Sequence, residues 1–210
     1  MLKITELEKV LALDMSSKTG WAFYLSSDID FTLEEYGQIP KSSEPLESYP
    51  GSYVTWAYLV FSDILALIEK FTPQVLVIEE TAGGSKSAYS QKILEFIHFL
   101  MARYIKETGI KAVYLQTETW RRIVGCKMTK NEKDQNKKIK GVKKQNPDIK
   151  VVKNESGKRI GKVGRKHVNV RVANELLGRF LKEPLILARE DQADAMLLGL
   201  AYHMKKVENV

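Results

Sequence analysis

Val10-Leu11-Ala12-Leu13-Asp14 is an apolar run that ends in an acid, and the turn-forming Met15-Ser16-Ser17-Lys18-Thr19-Gly20 separates it from the aromatic-rich Trp21-Ala22-Phe23-Tyr24-Leu25. Two β-rich segments around a polar turn read as two strands of a hairpin. Working outward, Glu34 to Ile39 supplies a third strand that Pro40 ends. From Tyr53 to Phe71 the apolar positions Trp56, Leu59, Val60, Ile64, Leu67 and Ile68 recur at helical spacing, and Thr72-Pro73 closes the helix. Val75-Leu76-Val77-Ile78 is a short β-branched run suited to burial on both sheet faces, and it leads directly into Glu79-Glu80. A helix through Ile93, Phe96, Ile97, Leu100 and Tyr104 ends near Gly109, and Ala112 to Leu115 makes a fifth strand. Helices from Val168 to Leu181 and from Asp191 to Lys205 finish the chain. A three-strand meander followed by alternating helix and strand implies an α/β fold: a mixed five-stranded sheet flanked by helices.

Charge is distributed unevenly along this frame. The net charge is +7. Between Lys127 and Lys166 stand 15 basic residues against four acids (Glu132, Asp134, Asp148, Glu155), a net +11, which leaves 18 basic and 22 acidic residues, or −4, elsewhere. A mildly acidic body with one strongly basic attachment suits an acidic catalytic centre and a phosphate-binding surface. The competing reading is a solvated charged loop. Ile149-Lys150-Val151-Val152 and Arg159-Ile160-Gly161-Lys162-Val163 flank an Asn154-Glu155-Ser156-Gly157 turn, so a basic β-hairpin is expected in the second half. Residues 1–210 are read as one domain, with 127–165 a basic insertion within it. The single Cys126 points to a reducing, cytoplasmic compartment and rules out zinc knuckles, and neither a membrane span nor a signal peptide is expected.

Three places put carboxylates at the end of an apolar element: Asp14 after a strand, Glu79 after a strand, and Asp191 with Asp194 opening a helix. Taken singly, each is an ordinary surface acid or a partner of the helix dipole. Taken together, Asp14 and Glu79 sit at the same end of neighbouring strands, and Asp191 and Asp194, three apart, share a helix face that can lie across those ends. Four carboxylates so gathered repel one another unless cations neutralise them, and hard divalent ions with oxygen ligands fit best. Two magnesium ions about 4 Å apart would activate a water and stabilise the leaving 3′-oxygen of a phosphodiester. Asp14 is the candidate bridging ligand. Glu79 and Glu80 point to opposite sides of a strand; Glu79 is preferred and Glu80 stays open.

Leu13-Asp14-Met15-Ser16 with Thr19-Gly20-Trp21, then Val77-Ile78-Glu79-Glu80, then Asp191-Gln192-Ala193-Asp194-Ala195, resembles the RuvC-like Holliday junction resolvases, particularly phage-type members. The similarity extends to Trp120 to Gly125, like the family's short helix after the fifth strand, and to Lys166 with Val168. The resemblance implies an RNase H-like fold, a homodimer with two active sites, dependence on Mg²⁺ or Mn²⁺, and symmetrical nicking of four-way DNA junctions. It also gives Lys166 a contact to the scissile phosphate. Typical members pass directly from the Gly125 region to the Lys166 region, so the basic insertion is a departure that bears on substrate choice.

DNA contacts are expected from Lys86 and Tyr89 in and after the Gly83-Gly84 loop, from Arg121 and Arg122, and from Lys137, Lys138, Lys143, Lys144, Arg159 and Arg165 of the insertion. The Gly83–Ser87 stretch lacks the spacing of a nucleotide-binding phosphate loop. Trp21, Trp56 and Trp120 read as core, and His98 as a packed or interface residue. The alternatives are a related nuclease acting on other branched DNA or RNA, and a non-catalytic branched-DNA-binding module.

Overall fold

The computed structural model describes residues 7–16, 18–40, 48–80, 88–153 and 159–208. Five strands form one sheet: β1 (Glu8–Asp14), β2 (Gly20–Ser26), β3 (Phe31–Gln38), β4 (Val75–Glu80) and β5 (Lys111–Gln116), in the order β3-β2-β1-β4-β5. β1–β2 and β2–β3 are antiparallel, while β1–β4 and β4–β5 are parallel, so the sheet is mixed as the element order implied. β1 is the middle strand.

The period-2 alternation of the strands divides the core in two. Leu11, Leu13, Phe23, Leu76 and Ile78 point to one face, beneath α1 (Gly51–Phe71) and α2 (Ala88–Thr108). Val10, Ala12, Ala22, Tyr24, Val75 and Val77 point to the other, beneath α3 (Thr117–Ile123), α5 (Arg165–Leu177) and α6 (Glu190–Glu208). Each fully buried Leu or Ile side chain contributes on the order of 1.5–3 kcal/mol. α1 has the length and apolarity of a membrane span, yet Trp56, Val60, Ile64 and Ile68 are buried against the sheet.

Small residues on the second face let α6 come close. A Cβ at Gly20 would stand 1.9 Å from the Asp191 carbonyl oxygen, and one at Gly199 would stand 2.4 Å from Cε2 of Tyr24. The Tyr24 hydroxyl donates to the Met196 carbonyl at 2.7 Å. α6 is therefore seated directly on β1 and β2, with α3 and α5 covering its outer side. It is buried from Ala195 to His203 rather than on one stripe.

The basic insertion differs from expectation in its first half. Lys130–Gln145 is a 16-residue helix, α4, followed by a two-strand hairpin of β6 (Val152–Lys153) and β7 (Arg159–Ile160). The hairpin matches the expectation, whereas the helix has no counterpart in it: Ile139 and Val142 are its only large apolar residues, so its inward face is mostly polar and gives no apolar stripe to read. The readable cue was Thr129-x-x-Glu132, which forms a reciprocal capping box. α5 also starts earlier than expected, at Arg165, and a 3₁₀ turn covers Gly178–Phe180.

Candidate active site

β1 and β4 run parallel with Leu13 paired to Ile78, so Asp14 and Glu79 emerge one residue later at the same sheet edge. The start of α6 crosses that edge because Gly20, opposite Asp14 in the β1–β2 ladder, has no side chain to hold it off. Asp191 and Asp194 lie one turn apart there. The four acids thus meet from three distant parts of the chain.

Their protonation equilibria record the meeting. Asp14 is held well above the ordinary carboxylate range, first by burial and then by repulsion from Glu79, Asp194 and Asp191. Burial also raises Asp194, to about 6, with Glu79 and Asp191 adding to the shift. Glu79 and Asp191 are raised by burial as well. Lys166 opposes the shift at Asp14 and Asp191, but its ammonium is itself paired with Glu190.

Three of the four carboxylates are held by side chains that sequence reading did not place at the site. Gln38, at the end of β3, donates to Asp191 at 2.6 Å. Thr117 and Trp120 of α3 donate to the two oxygens of Glu79, the indole at 3.2 Å. Asn169 of α5 donates to Asp194 at 2.6 Å and accepts from Arg121. Among the described residues no side chain donates to the Asp14 carboxylate. The one sequence cue was Asn169 itself, a polar residue between Val168 and Val170 on a buried helix face.

Glu79 is half-buried and turned toward the other acids, whereas Glu80 is exposed on the opposite side of the strand. Arg121, expected at a phosphate, is 9% exposed and directs its guanidinium to Asn169. Its role in the structure is to carry positive charge toward Asp194 and Glu79 from beneath. Arg122 is exposed, and Arg165 pairs with Glu118 at 3.0 Å. Lys137, Lys138, Lys143, Lys144 and Arg159 are exposed on the insertion. Lys86 lies outside the described residues, and Tyr89 sits in the first turn of α2 with its side chain undescribed. Trp56 and Trp120 are core as expected, and Trp21 packs at the sheet edge against Phe71.

All four carboxylates offer the hard oxygen donors that Mg²⁺ or Mn²⁺ prefers, and their mutual repulsion is the electrostatic signature of a cation-binding centre. Among the described residues no three of them stand as a ready-made ligand cluster, and Gln38, Thr117, Trp120 and Asn169 hold individual oxygens of three of them by hydrogen bonds. By its chemistry, the donor set fits divalent ions.

No protein-family model and no curated protein sequence matches the chain. Its fold is similar to that of Thermus thermophilus RuvC in complex with a Holliday junction substrate, with a TM-score of 0.59 and 13% identity over 93% of each chain. It is also similar to the yeast mitochondrial Holliday junction resolvase, with a TM-score of 0.54 and 12% identity over 99% of this chain and 83% of that one. The fowlpox virus resolvase bound to Holliday junction DNA gives a TM-score of 0.52 and 12% identity over 94% and 97%. At such identities the likeness establishes the architecture: the RNase H-like mixed sheet with flanking helices seen in these resolvases.

Proposed function

We propose that this chain is a divalent-metal-dependent endonuclease that cuts branched DNA, with the four-way junction as its substrate. The observation that carries the reading is the convergence of Asp14, Glu79, Asp191 and Asp194 at one sheet edge, with proton affinities that stay raised despite the positive charge of Lys166 and Arg121 nearby. The likeness in fold to junction resolvases supports the choice of substrate.

Asp14, Glu79, Asp191 and Asp194 would hold two Mg²⁺ ions, with Mn²⁺ able to substitute; bound there, such ions lower the pKa of a water and stabilise charge on the leaving oxygen. Asp14, on the middle strand and with no side-chain donor to its carboxylate among the described residues, is the ligand best placed to be shared. Gln38, Thr117, Trp120 and Asn169 orient the other three carboxylates, as partners of metal ligands commonly do. Lys166 would leave Glu190 for the scissile phosphate and offset charge there. Arg122 and Arg165 near α3 and α5, with Lys86 and Tyr89 beyond β4, would hold the DNA strand that enters the site, and the basic insertion would hold a flanking arm through Lys137, Lys138, Lys143, Lys144 and Arg159.

A homodimer with two such sites, acting in a cytoplasmic compartment in recombination or phage genome processing, completes the proposal. Phe96 and Phe99, three residues apart and exposed on the outer face of α2, supply apolar surface for a second copy, and the Nε2 of nearby His98 is buried without a partner among the described residues. The deciding assay incubates the purified protein with Mg²⁺ and labelled four-way, three-way, flap and duplex DNA. Paired nicks across the four-way junction are expected; binding without any cut, or equal cutting of plain duplex, would overturn the reading.

A further inference from the structure

The structure gives α4 one face toward the protein and another toward solvent, and its lysines are sorted accordingly. Glu132, Gln135, Asn136, Ile139 and Val142, at helical i, i+3, i+4, i+7 spacing, face inward and are buried or half-buried. Asn136 makes a two-way clamp with Val163, at 2.9 Å to its carbonyl and 2.8 Å from its amide, and Gln135 donates to the Gly161 carbonyl at 2.6 Å. Arg171 of α5 holds Glu132 at 2.9 Å and the Lys127 carbonyl at 2.8 Å. α4 and the segment following β7 are thereby tied together and to α5, whose opposite side carries Asn169 to Asp194. On the outward side Lys130, Lys133, Lys137, Lys140 and Lys144 are all exposed and recur at intervals of three or four residues. They form one stripe about 21 Å long at 1.5 Å per residue. Lys138 lies off the stripe to one side, and Lys143, four residues on from Ile139, follows the inward face at its C-terminal end.

We infer that this stripe is a docking track for the sugar–phosphate backbone of double-helical DNA, bound without regard to base sequence. The inference rests on the proposed nuclease function and adds which face of the insertion meets which part of the nucleic acid. Charge complementarity favours it: five lysines with only Asp134 beside them lie along a length over which one DNA strand presents about six phosphates. Composition excludes the other common modes. Residues 127–166 contain no Phe, Tyr or Trp, so no aromatic platform is present to stack unpaired bases. Every basic residue of α4 is a lysine, a point charge suited to phosphate, and none is the arginine whose fork reads guanine.

The test compares two variants of the full chain, each checked for wild-type helix content by circular dichroism. The stripe variant replaces Lys133, Lys137, Lys140 and Lys144 by Gln, and a control variant replaces Lys9, at the start of β1, and Lys106, in the last turn of α2, by Gln; both control lysines are exposed and belong to none of the proposed DNA contacts. Binding to a fluorescent duplex DNA is measured by anisotropy in EDTA across a salt series. The stripe variant is expected to lose at least tenfold in affinity at moderate salt, and its slope of log K against log salt to flatten by about 2 or more; the control variant should change the slope by less than 1. Equal slopes for the stripe variant and wild type, or an equal loss in the control variant, overturn the inference. Competition by double-stranded RNA or polyglutamate as effective as by duplex DNA overturns the assigned partner. Parallel cleavage assays keep the two readings apart: a wild type that nicks four-way junctions with an unaltered stripe-variant slope sinks only the track. A wild type that cuts nothing while the stripe variant shows the flattened slope sinks only the nuclease.

Discussion

The acidic crevice and the basic insertion are built on opposite physical plans. The crevice gathers like charges against their repulsion, and it can do so because rigid backbone holds them: two parallel strands, one helix resting on Gly20, and Gln38, Thr117, Trp120 and Asn169 bonded to individual carboxylates. The insertion spreads like charges along an exposed helix surface, where solvent screens them, and buries little beyond Ile139 and Val152. Its order comes from a capping box, the Asn136 clamp and the Arg171 contacts. Concentrated charge therefore needs a deep fold, while dispersed charge needs only a well-tied helix. α5 joins the two, with Asn169 on one side and Arg171 on the other.

That contrast breaks most sharply at the acids. Asp14→Asn or Asp194→Asn should lower junction cleavage by about 10³-fold or more, on the order of 4 kcal/mol of transition-state stabilisation. Binding to the same junction in Ca²⁺ or EDTA should stay within about threefold, measured by gel shift; parallel loss of binding and cutting would remove these residues from catalysis. Next in size is the seat of α6. Gly20→Val should displace Asp191 and lower cleavage by about 10²-fold, as a misplacement near 1 Å can, with the far-ultraviolet spectrum preserved. Cleavage at the wild-type rate would show that the close approach of α6 to β2 is not what positions its acids.

A titration sharpens the same point. Raised carboxylate pKa values mean that the folded protein holds protons which the unfolded chain has released, so stability without metal should fall as pH rises from about 4 through about 6. Asp194 alone accounts for on the order of 1–3 kcal/mol of that fall. Asp194→Asn should flatten the dependence of Tm on pH over this window, and added Mg²⁺ at pH 7 should restore stability to the wild type more than to the variant. A Tm that rises over that window in the metal-free protein would mean the acids are not crowded as described.

The smallest effect is expected on the other side of the comparison. Asn136→Ala removes two hydrogen bonds of about 1 kcal/mol each from a peripheral element, so the global Tm should move by only a few degrees. Trypsin should nevertheless cut at the α4 lysines several-fold faster than in wild type, and unchanged proteolysis would show that the clamp does not order the insertion.

The mixed five-stranded sheet and both of its buried runs were readable from the chain, because period-2 and period-3.6 patterns report directly on which face is dry; the four acids singled out there stand together at one end of that sheet. The capping box announced α4 as clearly as its missing apolar stripe concealed it. What the sequence alone determined is the chemistry available: hard oxygen donors at element ends and a basic stretch free of aromatics. Only the tertiary structure decided which side chains answer those acids, turning Arg121 inward to Asn169, bringing Gln38 across 153 positions to Asp191, and setting five of the α4 lysines on one outward stripe. Such pairings depend on distances between elements remote in the chain, and those distances are set by packing, to which no local pattern of residues is sensitive.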